Sequence, residues 1–217
     1  SSVSAEFQRA DNVLARVNKY ASSARDQWLS LIQTPSQTHL EWLHRYLEIL
    51  ALAANAVSGL IGPPLTRRRF LALFSERVHD LGTPKLLPGF MGLLGYTEEQ
   101  DPDLDEWIET LSEDLRYLSQ TTQPPIHLDP CRHAYYLDAL RAQAKSEQSS
   151  HAIWPLLRTW TDVHLASLKP APGIEAWQDL LSALNLAEDA ADQRTEALDS
   201  YLDNIEITVE SWAKLYG

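Results

Sequence analysis

Two histidines and two glutamates lie close together in the sequence, at His39, Glu41, His44 and Glu48. Glu41 and His44 are three residues apart, which is the Glu-x-x-His spacing found in the carboxylate-bridged dimetal sites of helical bundles. Those sites use the pair twice, with further carboxylates on facing helices. We find no second Glu-x-x-His pair in the sequence, so Glu41 and His44 would form only an isolated half-site. The alternative, which we prefer, is a surface glutamate beside a histidine at the edge of the core.

A second group of ligand-type residues comprises His127, Asp129, Cys131 and His133. Cysteine and histidine bind zinc, and the N-terminus of a helix lowers the pKa of a thiol. Only one thiol is present, however, and the spacing matches no structural zinc motif. We therefore expect these residues to cap and pack a helix end.

His151 and His164 complete the set of residues that could perform chemistry. The candidates for metal binding are Glu41, His44, His133 and His164, but we predict no bound metal and no cofactor. The sequence also contains no Gly-rich phosphate loop, GxSxG, HExxH or paired CxxC motif.

The segment 83–96, TPKLLPGFMGLLGY, is apolar and rich in glycine and proline. This composition predicts short turns and no long helix. A ligand-facing loop would bind through its large side chains, so the candidate binding residues are Phe90, Met91, Leu93, Leu94 and Tyr96. The alternative is a tight crossing beneath another helix, because glycine allows the backbone of one element to approach another closely.

These residues must be positioned by helices, since the hydrophobic pattern is helical along the chain. A sustained a/d pattern predicts a long helix over 4–32, followed by a break at Thr34-Pro35-Ser36. The stretch 38–61 is apolar around most of its circumference, which indicates a buried central helix. A third helix is expected over 66–81, with its consecutive arginines 67–69 paired to acidic side chains.

The second half of the chain shows similar patterns. Asp101 and Pro102 begin a helix by capping, and Asp129-Pro130 begins another. Further helices are predicted from Trp154, over 174–184 and over 188–215. The sequence thus predicts an all-α multi-helix bundle of about seven or eight helices. The terminal helices are long, the domain spans 1–217, and a subdomain boundary is a candidate near 120–130.

Composition narrows the classes of partner. The net charge is −12, with an isoelectric point near 4.9, which argues against a nucleic-acid surface or an anionic membrane. The acidity would suit a basic partner, and the alternative, which we prefer, is that it serves only solubility. The single cysteine fits a reducing compartment, and we predict a cytoplasmic protein. Core packing accounts for most of the seven tryptophans, although one or two are candidates for an aromatic groove.

The absence of a catalytic motif, together with the acidity, predicts a non-enzymatic protein-binding module of the chaperone, adaptor or inhibitor kind. Its partner would be another protein, and a basic one. The alternative is a metal-dependent or small-molecule enzyme with its site inside the bundle. That site would combine His44, His133, His151 or His164 with Glu41 or Glu48.

Overall fold

The computed structural model describes residues 9–34, 36–96, 104–121 and 123–217. All regular structure in these residues is helical, which confirms the all-α prediction. The α-helices, in chain order, are α1 (Ala10–Gln33), α2 (His39–Ser58), α3 (Phe70–Asp80), α4 (Leu86–Leu93), α5 (Leu104–Thr121), α6 (His133–Ala144), α7 (Ile153–Ala166), α8 (Ile174–Ala183) and α9 (Ala191–Tyr216).

Short 3₁₀ turns lead into several of these helices. They are Arg67–Arg69, Ile126–Leu128, Pro130–Arg132, Ser149–Ala152 and Glu188–Ala190. Helices α3, α6 and α9 therefore begin slightly later than their sequence patterns predict, whereas α7 begins one residue before the predicted Trp154. The predicted start of the first helix near Ser4 and the predicted cap at Asp101 and Pro102 lie outside the described residues, as does Pro35.

The central helix α2 is buried, as the sequence predicts. The Thr38 hydroxyl accepts a hydrogen bond from the Glu41 backbone N–H at 3.2 Å, and the Glu41 carboxylate accepts one from the Gln37 N–H at 2.9 Å. These two bonds satisfy backbone donors that the first helical turn leaves without partners. The helix packs against α1, α3, α7 and α9, so its apolar sides are covered.

The two long terminal helices pack against each other and against α2. Arg16 near the start of α1 donates to the Gly59 carbonyl beyond the end of α2, at 2.9 Å, while Arg45 of α2 donates to Ser30 near the end of α1, at 3.0 Å. Helices α1 and α2 are therefore antiparallel. Helix α9 runs along α1, with Trp28 donating to the Thr195 carbonyl at 2.9 Å.

Helix α4 occupies the segment in which the sequence predicts turns, so that local expectation is wrong. Phe90 is fully buried, and its ring lies 5.2 Å from Phe74 and 5.4 Å from Trp154 between ring centroids. A Cβ on Gly89 would lie 3.1 Å from the Tyr201 ring of α9. The glycine therefore permits a tight crossing under α9, which is the alternative that the sequence left open.

Helices α5, α7 and α8 meet around a buried carboxylate. Asp114 has no exposed surface, and it accepts hydrogen bonds from Trp160 Nε1 at 2.7 Å and from the Gly173 N–H at 2.8 Å. One hydrophobic cluster includes residues from α1 through α9. The segments before and after residues 120–130 therefore share a core. Within the described residues, every helix is too short or too polar to cross a membrane.

Candidate functional site

Two of the histidines converge on a carboxylate that the sequence analysis did not single out. Asp162 of α7 is only 7% exposed. One of its oxygens accepts from Arg67 Nη1 at 2.6 Å and lies 3.2 Å from His127 Nε2. The other oxygen lies 3.6 Å from His44 Nδ1. We call Asp162, Arg67, His44 and His127 the Asp162 cluster.

The electrostatics of the Asp162 cluster favour a charge-balanced structural network. Burial alone would raise the pKa of Asp162, but the neighbouring His44 and the charges of Arg67 and Arg158 outweigh it and lower the pKa to about 2. Burial, reinforced by the positive charge of Arg67, lowers the pKa of His127. Near neutral pH, Asp162 is therefore ionised and compensated by Arg67. The prediction that arginines 67–69 pair with acidic residues is confirmed for Arg67.

Of the other candidate metal ligands, Glu41 and His164 lie outside this cluster, whereas His133 lines a small cavity together with Arg67 and His127. Glu41 caps the start of α2, and His133 Nε2 bonds to the Leu128 carbonyl at 2.8 Å. His164 lies beside Asp114, with 3.8 Å between His164 Nε2 and the carboxylate. Burial lowers the pKa of His164 to about 4 despite that neighbouring carboxylate, so it is neutral at physiological pH.

A second Glu-x-x-His pair does exist, at Glu76 and His79 in α3. The interpretation of Glu41 and His44 as an isolated half-site in the sequence is therefore wrong. Both Glu76 and His79 are exposed, however. Among the described residues, no group of three His, Cys, Asp or Glu side chains is arranged to hold a metal ion.

The candidate binding residues in segment 83–96 divide into two groups. Phe90, Leu93 and Leu94 are buried in the core, so they cannot contact a partner in this conformation and that part of the prediction is corrected. Met91 and Tyr96 are half-buried and line a cavity on the outer side of α4. Phe90 and Leu93 of α4 pack inward because the helix covers a core of aromatic rings.

Cys131 and its neighbours form a helix start, as predicted. The Asp129 carboxylate accepts from the Cys131 backbone N–H at 2.9 Å. The side-chain hydrogen bond with the same carboxylate raises the pKa of the exposed Cys131 thiol. This is the opposite of the shift that activates a nucleophilic cysteine.

A groove lies between the end of α1, the start of α2 and the start of α9. Its cavity has a volume of about 620 Å³. Trp28 and Trp42 line it, and both indole N–H groups bond to Thr195, at 2.9 Å to its carbonyl and 3.1 Å to its hydroxyl. These bonds fix the two rings against α9. We call this cavity the tryptophan groove.

Carboxylates line the α9 side of the tryptophan groove. Glu188, Asp192 and Glu196 are exposed and follow one another at intervals of four residues. Asp192 and Glu196 share one face of α9, and Glu188 lies in the 3₁₀ turn just before it. In the described part of the chain, none of the three forms an ion pair. His39, also in the lining, bonds to the Leu186 carbonyl, and burial lowers its pKa. The groove is therefore negatively charged at neutral pH.

Immediately beyond the groove, the same face of α9 already holds a guanidinium group. Arg25 pairs with Asp199, with Asp203 at 2.6 Å and with Glu206 at 2.8 Å. Its guanidinium carbon lies 5.2 Å from the centroid of the Trp28 ring. This is the geometry of a cation–π contact combined with carboxylate pairing.

Sequence reasoning identified part of this site. It placed tryptophans on inward or boundary faces and kept an aromatic groove as an expectation for one or two of them. It missed the carboxylates at 188, 192 and 196, although their four-residue spacing was a usable signal.

Comparison with known proteins leaves the geometry as the sole basis for a functional argument. No family model, curated protein or solved structure matches the chain.

Proposed function

We propose that this protein is a non-enzymatic binding module and that its tryptophan groove accepts an arginine-bearing segment of another protein. One observation carries the proposal: a cavity of about 620 Å³ combines two fixed indoles with a row of carboxylates. Those carboxylates, Glu188, Asp192 and Glu196, have no cationic partner among the described residues.

The chemistry of the groove favours arginine over lysine. A guanidinium group is planar, forms paired hydrogen bonds with carboxylates and stacks on aromatic rings, whereas an ammonium group is a compact and strongly hydrated charge. Arg25 shows that the adjacent part of α9 holds a guanidinium between Trp28 and a row of carboxylates. The net charge of −12 would also accelerate the approach of a cationic partner.

The spacing of the carboxylates suggests the form of the ligand. Residues four apart on a helix rise by about 6 Å along its axis. Alternate side chains of an extended peptide lie on one face and are spaced by about 6.6 Å. Two arginines at alternate positions of an extended segment would therefore match Asp192 and Glu196 in register, and a third would lie toward Glu188 in the preceding 3₁₀ turn.

Calorimetric titration with short peptides tests this proposal. We expect the acetylated and amidated peptide RSRSR to bind more tightly than KSKSK, which has the same charge, and than RRRSS, which has the same composition. ESESE should not bind. Equal affinity for RSRSR, KSKSK and RRRSS would mean that only net charge is recognised, and the proposed groove chemistry would be wrong.

A matched pair of variants locates the binding surface. The groove variant combines Glu188→Gln, Asp192→Asn and Glu196→Gln. The control variant combines Glu76→Gln, Asp80→Asn and Glu113→Gln, which removes the same charge from exposed positions outside the groove. We expect the groove variant to lose at least about tenfold in RSRSR affinity, because charge-assisted hydrogen bonds are lost. The control variant should lose far less, and equal losses would contradict the proposal.

The alternative of an enzyme in the bundle interior has weaker support. His44 and His127 converge on Asp162, but Arg67 already neutralises that carboxylate. His133 lines a small cavity with His127, but its ring bonds to the Leu128 carbonyl. Metal analysis of the purified protein tests the metal-dependent version. Stoichiometric zinc, iron or manganese that is lost on substitution of His44 would revive it.

A further inference from the structure

A second cavity lies on the opposite side of α4 from the core, and it shares no lining residue with the tryptophan groove. Its volume is about 480 Å³, which is within the range typical of small-molecule sites. One wall is apolar and the other is polar. The lining residues are Leu87, Pro88, Met91, Tyr96, Glu147, Ser149, Ser150 and His151. We call it the α4 cavity.

His151 is an unusual feature of the polar wall. The residue is only 8% exposed, yet it lines the cavity, and no described residue hydrogen-bonds to its imidazole ring. Its ring nitrogens are not among the fully buried polar atoms without a partner, so they remain accessible to water or a ligand. Burial lowers the pKa of His151, so the ring is neutral at physiological pH and offers one donor and one acceptor.

The charge of the cavity determines the sign of a suitable ligand. Glu147 is exposed at the polar wall and forms no ion pair in the described part of the chain. The lining contains no lysine or arginine. A cationic head group is therefore favoured over an anionic one.

The apolar wall determines the body of the ligand. Leu87 and Met91 project from successive turns of α4, and Tyr96 follows the end of the helix. A methionine thioether forms favourable contacts with aromatic rings and adapts to their shape. A flat aromatic group therefore suits this wall.

We propose that the α4 cavity binds a small aromatic primary amine. The ring lies against Leu87 and Met91, the ammonium group pairs with the Glu147 carboxylate, and it donates a hydrogen bond to the neutral imidazole of His151. This site is independent of the tryptophan groove, and neither proposal requires the other.

Met91 provides a direct probe, because it is the only methionine in the sequence. Protein labelled with ¹³C in the methionine methyl group is titrated with 2-phenylethylamine, 2-phenylethanol and 3-phenylpropionate. We expect a saturable ring-current shift of the Met91 methyl resonance with the amine, a weaker response with the alcohol and none with the acid. The absence of a saturable shift with the amine would overturn the proposal, as would an equal response to the acid.

Substitutions assign the two polar contacts. Glu147→Gln alters an exposed side chain and should weaken amine binding by roughly threefold, since partly exposed ion pairs are worth little individually. His151→Gln should weaken it further, whereas His79→Gln at an exposed position outside the cavity should have no effect. Unchanged amine affinity in Glu147→Gln would show that the assigned head-group contact is wrong. The groove variant should bind the amine normally, so failure of one proposal leaves the other intact.

Discussion

The tryptophan groove and the Asp162 cluster arrange charge in opposite ways. In the groove, three exposed carboxylates have no described cation, whereas in the cluster one buried carboxylate is surrounded by Arg67, His44 and His127. Water solvates an exposed carboxylate, so an unpaired one costs little in folding free energy, but a buried one requires compensation. The comparison teaches that a buried carboxylate needs internal partners for folding, whereas exposed carboxylates around a cavity can stay unpaired, and it is the unpaired ones that we propose as a surface for a partner.

Arg25 occupies an intermediate position between these two regions. Its side chain is 21% exposed and satisfies Asp199, Asp203 and Glu206 on the same helix face that lines the groove. The carboxylates at one end of this face are thus paired with Arg25, whereas those at the other end have no described cationic partner. Asp162 is thus buried, Arg25 is partly buried, and the groove carboxylates are exposed.

The largest effect on stability is expected from Asp162→Asn. The substitution preserves shape but removes the negative charge, which leaves Arg67 without its counter-ion in a partly buried position. Removing one member of a buried ion pair costs about 3 kcal/mol or more of unfolding free energy. Urea denaturation at neutral pH measures this loss.

Asp203→Asn is the control for that measurement, because the Asp203 side chain is 63% exposed and its ion pair with Arg25 is near the surface. Its expected cost is under about 1 kcal/mol. Similar losses for the two substitutions would remove the distinction between the buried cluster and the surface stripe.

The free energy of unfolding should depend on pH in acid because the buried Asp162 carboxylate becomes protonated. The pKa of Asp162 is about 2 in the folded protein, below its ordinary value of 3.8. A depressed folded-state pKa stabilises the protein above the unfolded pKa, and the contribution is lost as the pH falls from about 4 to below 2. It amounts to about 2 kcal/mol.

Urea midpoints measured between pH 5 and pH 2 would resolve this contribution. Asp162→Asn should remove that part of the pH dependence, while the groove variant should retain it. A wild-type acid transition that Asp162→Asn leaves unchanged would contradict the assignment.

The sequence allowed much of the fold to be predicted, because long helices produce long periodic signals. The buried character of α2 and the lengths of α1 and α9 follow from apolar stripes that extend over several turns. Helix α4 was mispredicted because its glycines and prolines are local signals for turns. Burial of Phe90 under α9 outweighs those signals, and that contact is tertiary.

The candidate sites were less predictable because their contacts, like the burial of Phe90, are tertiary. Asp162 lies within an apolar helix, and its partners Arg67, His44 and His127 come from distant parts of the chain. Only the folded structure brings them together. By contrast, Glu188, Asp192 and Glu196 lie within one short stretch of the chain, so their pattern was available in the sequence.

Arg25→Gln should have a smaller effect than Asp162→Asn. The substitution removes the cation that separates Asp199, Asp203 and Glu206, but these carboxylates are substantially exposed. We expect a loss of about 1 to 2 kcal/mol, since several surface pairs are broken together. Urea denaturation of the variant measures it, with Arg9→Gln as a control because Arg9 forms only an exposed pair with Asp11.

Arg25→Gln also tests whether Arg25 competes with the arginines of a peptide for the same face of α9. Freeing three carboxylates beside Trp28 extends the unpaired face of α9, so Arg25→Gln should bind the RSRSR peptide more tightly than the wild type. A loss of affinity would indicate that Arg25 holds the groove in shape and does not compete with a ligand.

The smallest stability effect is expected from the groove variant. Its three substitutions relieve repulsion between carboxylates one helical turn apart, which stabilises the protein slightly. They also remove negative charge from the start of α9, where the helix dipole favours it. These effects are each worth a few tenths of a kcal/mol and oppose each other, so the unfolding free energy should change by less than about 0.5 kcal/mol.

Measurements at different salt concentrations distinguish two opposing contributions that nearly cancel from the absence of any interaction. Both contributions are exposed and screened, so the small difference between the groove variant and the wild type should shrink further at high ionic strength. Urea midpoints at low and high salt give this comparison. A loss above about 2 kcal/mol would show that Glu188, Asp192 and Glu196 are structural like Asp162. Near-neutral stability with lost peptide binding is expected only if their charge serves a partner.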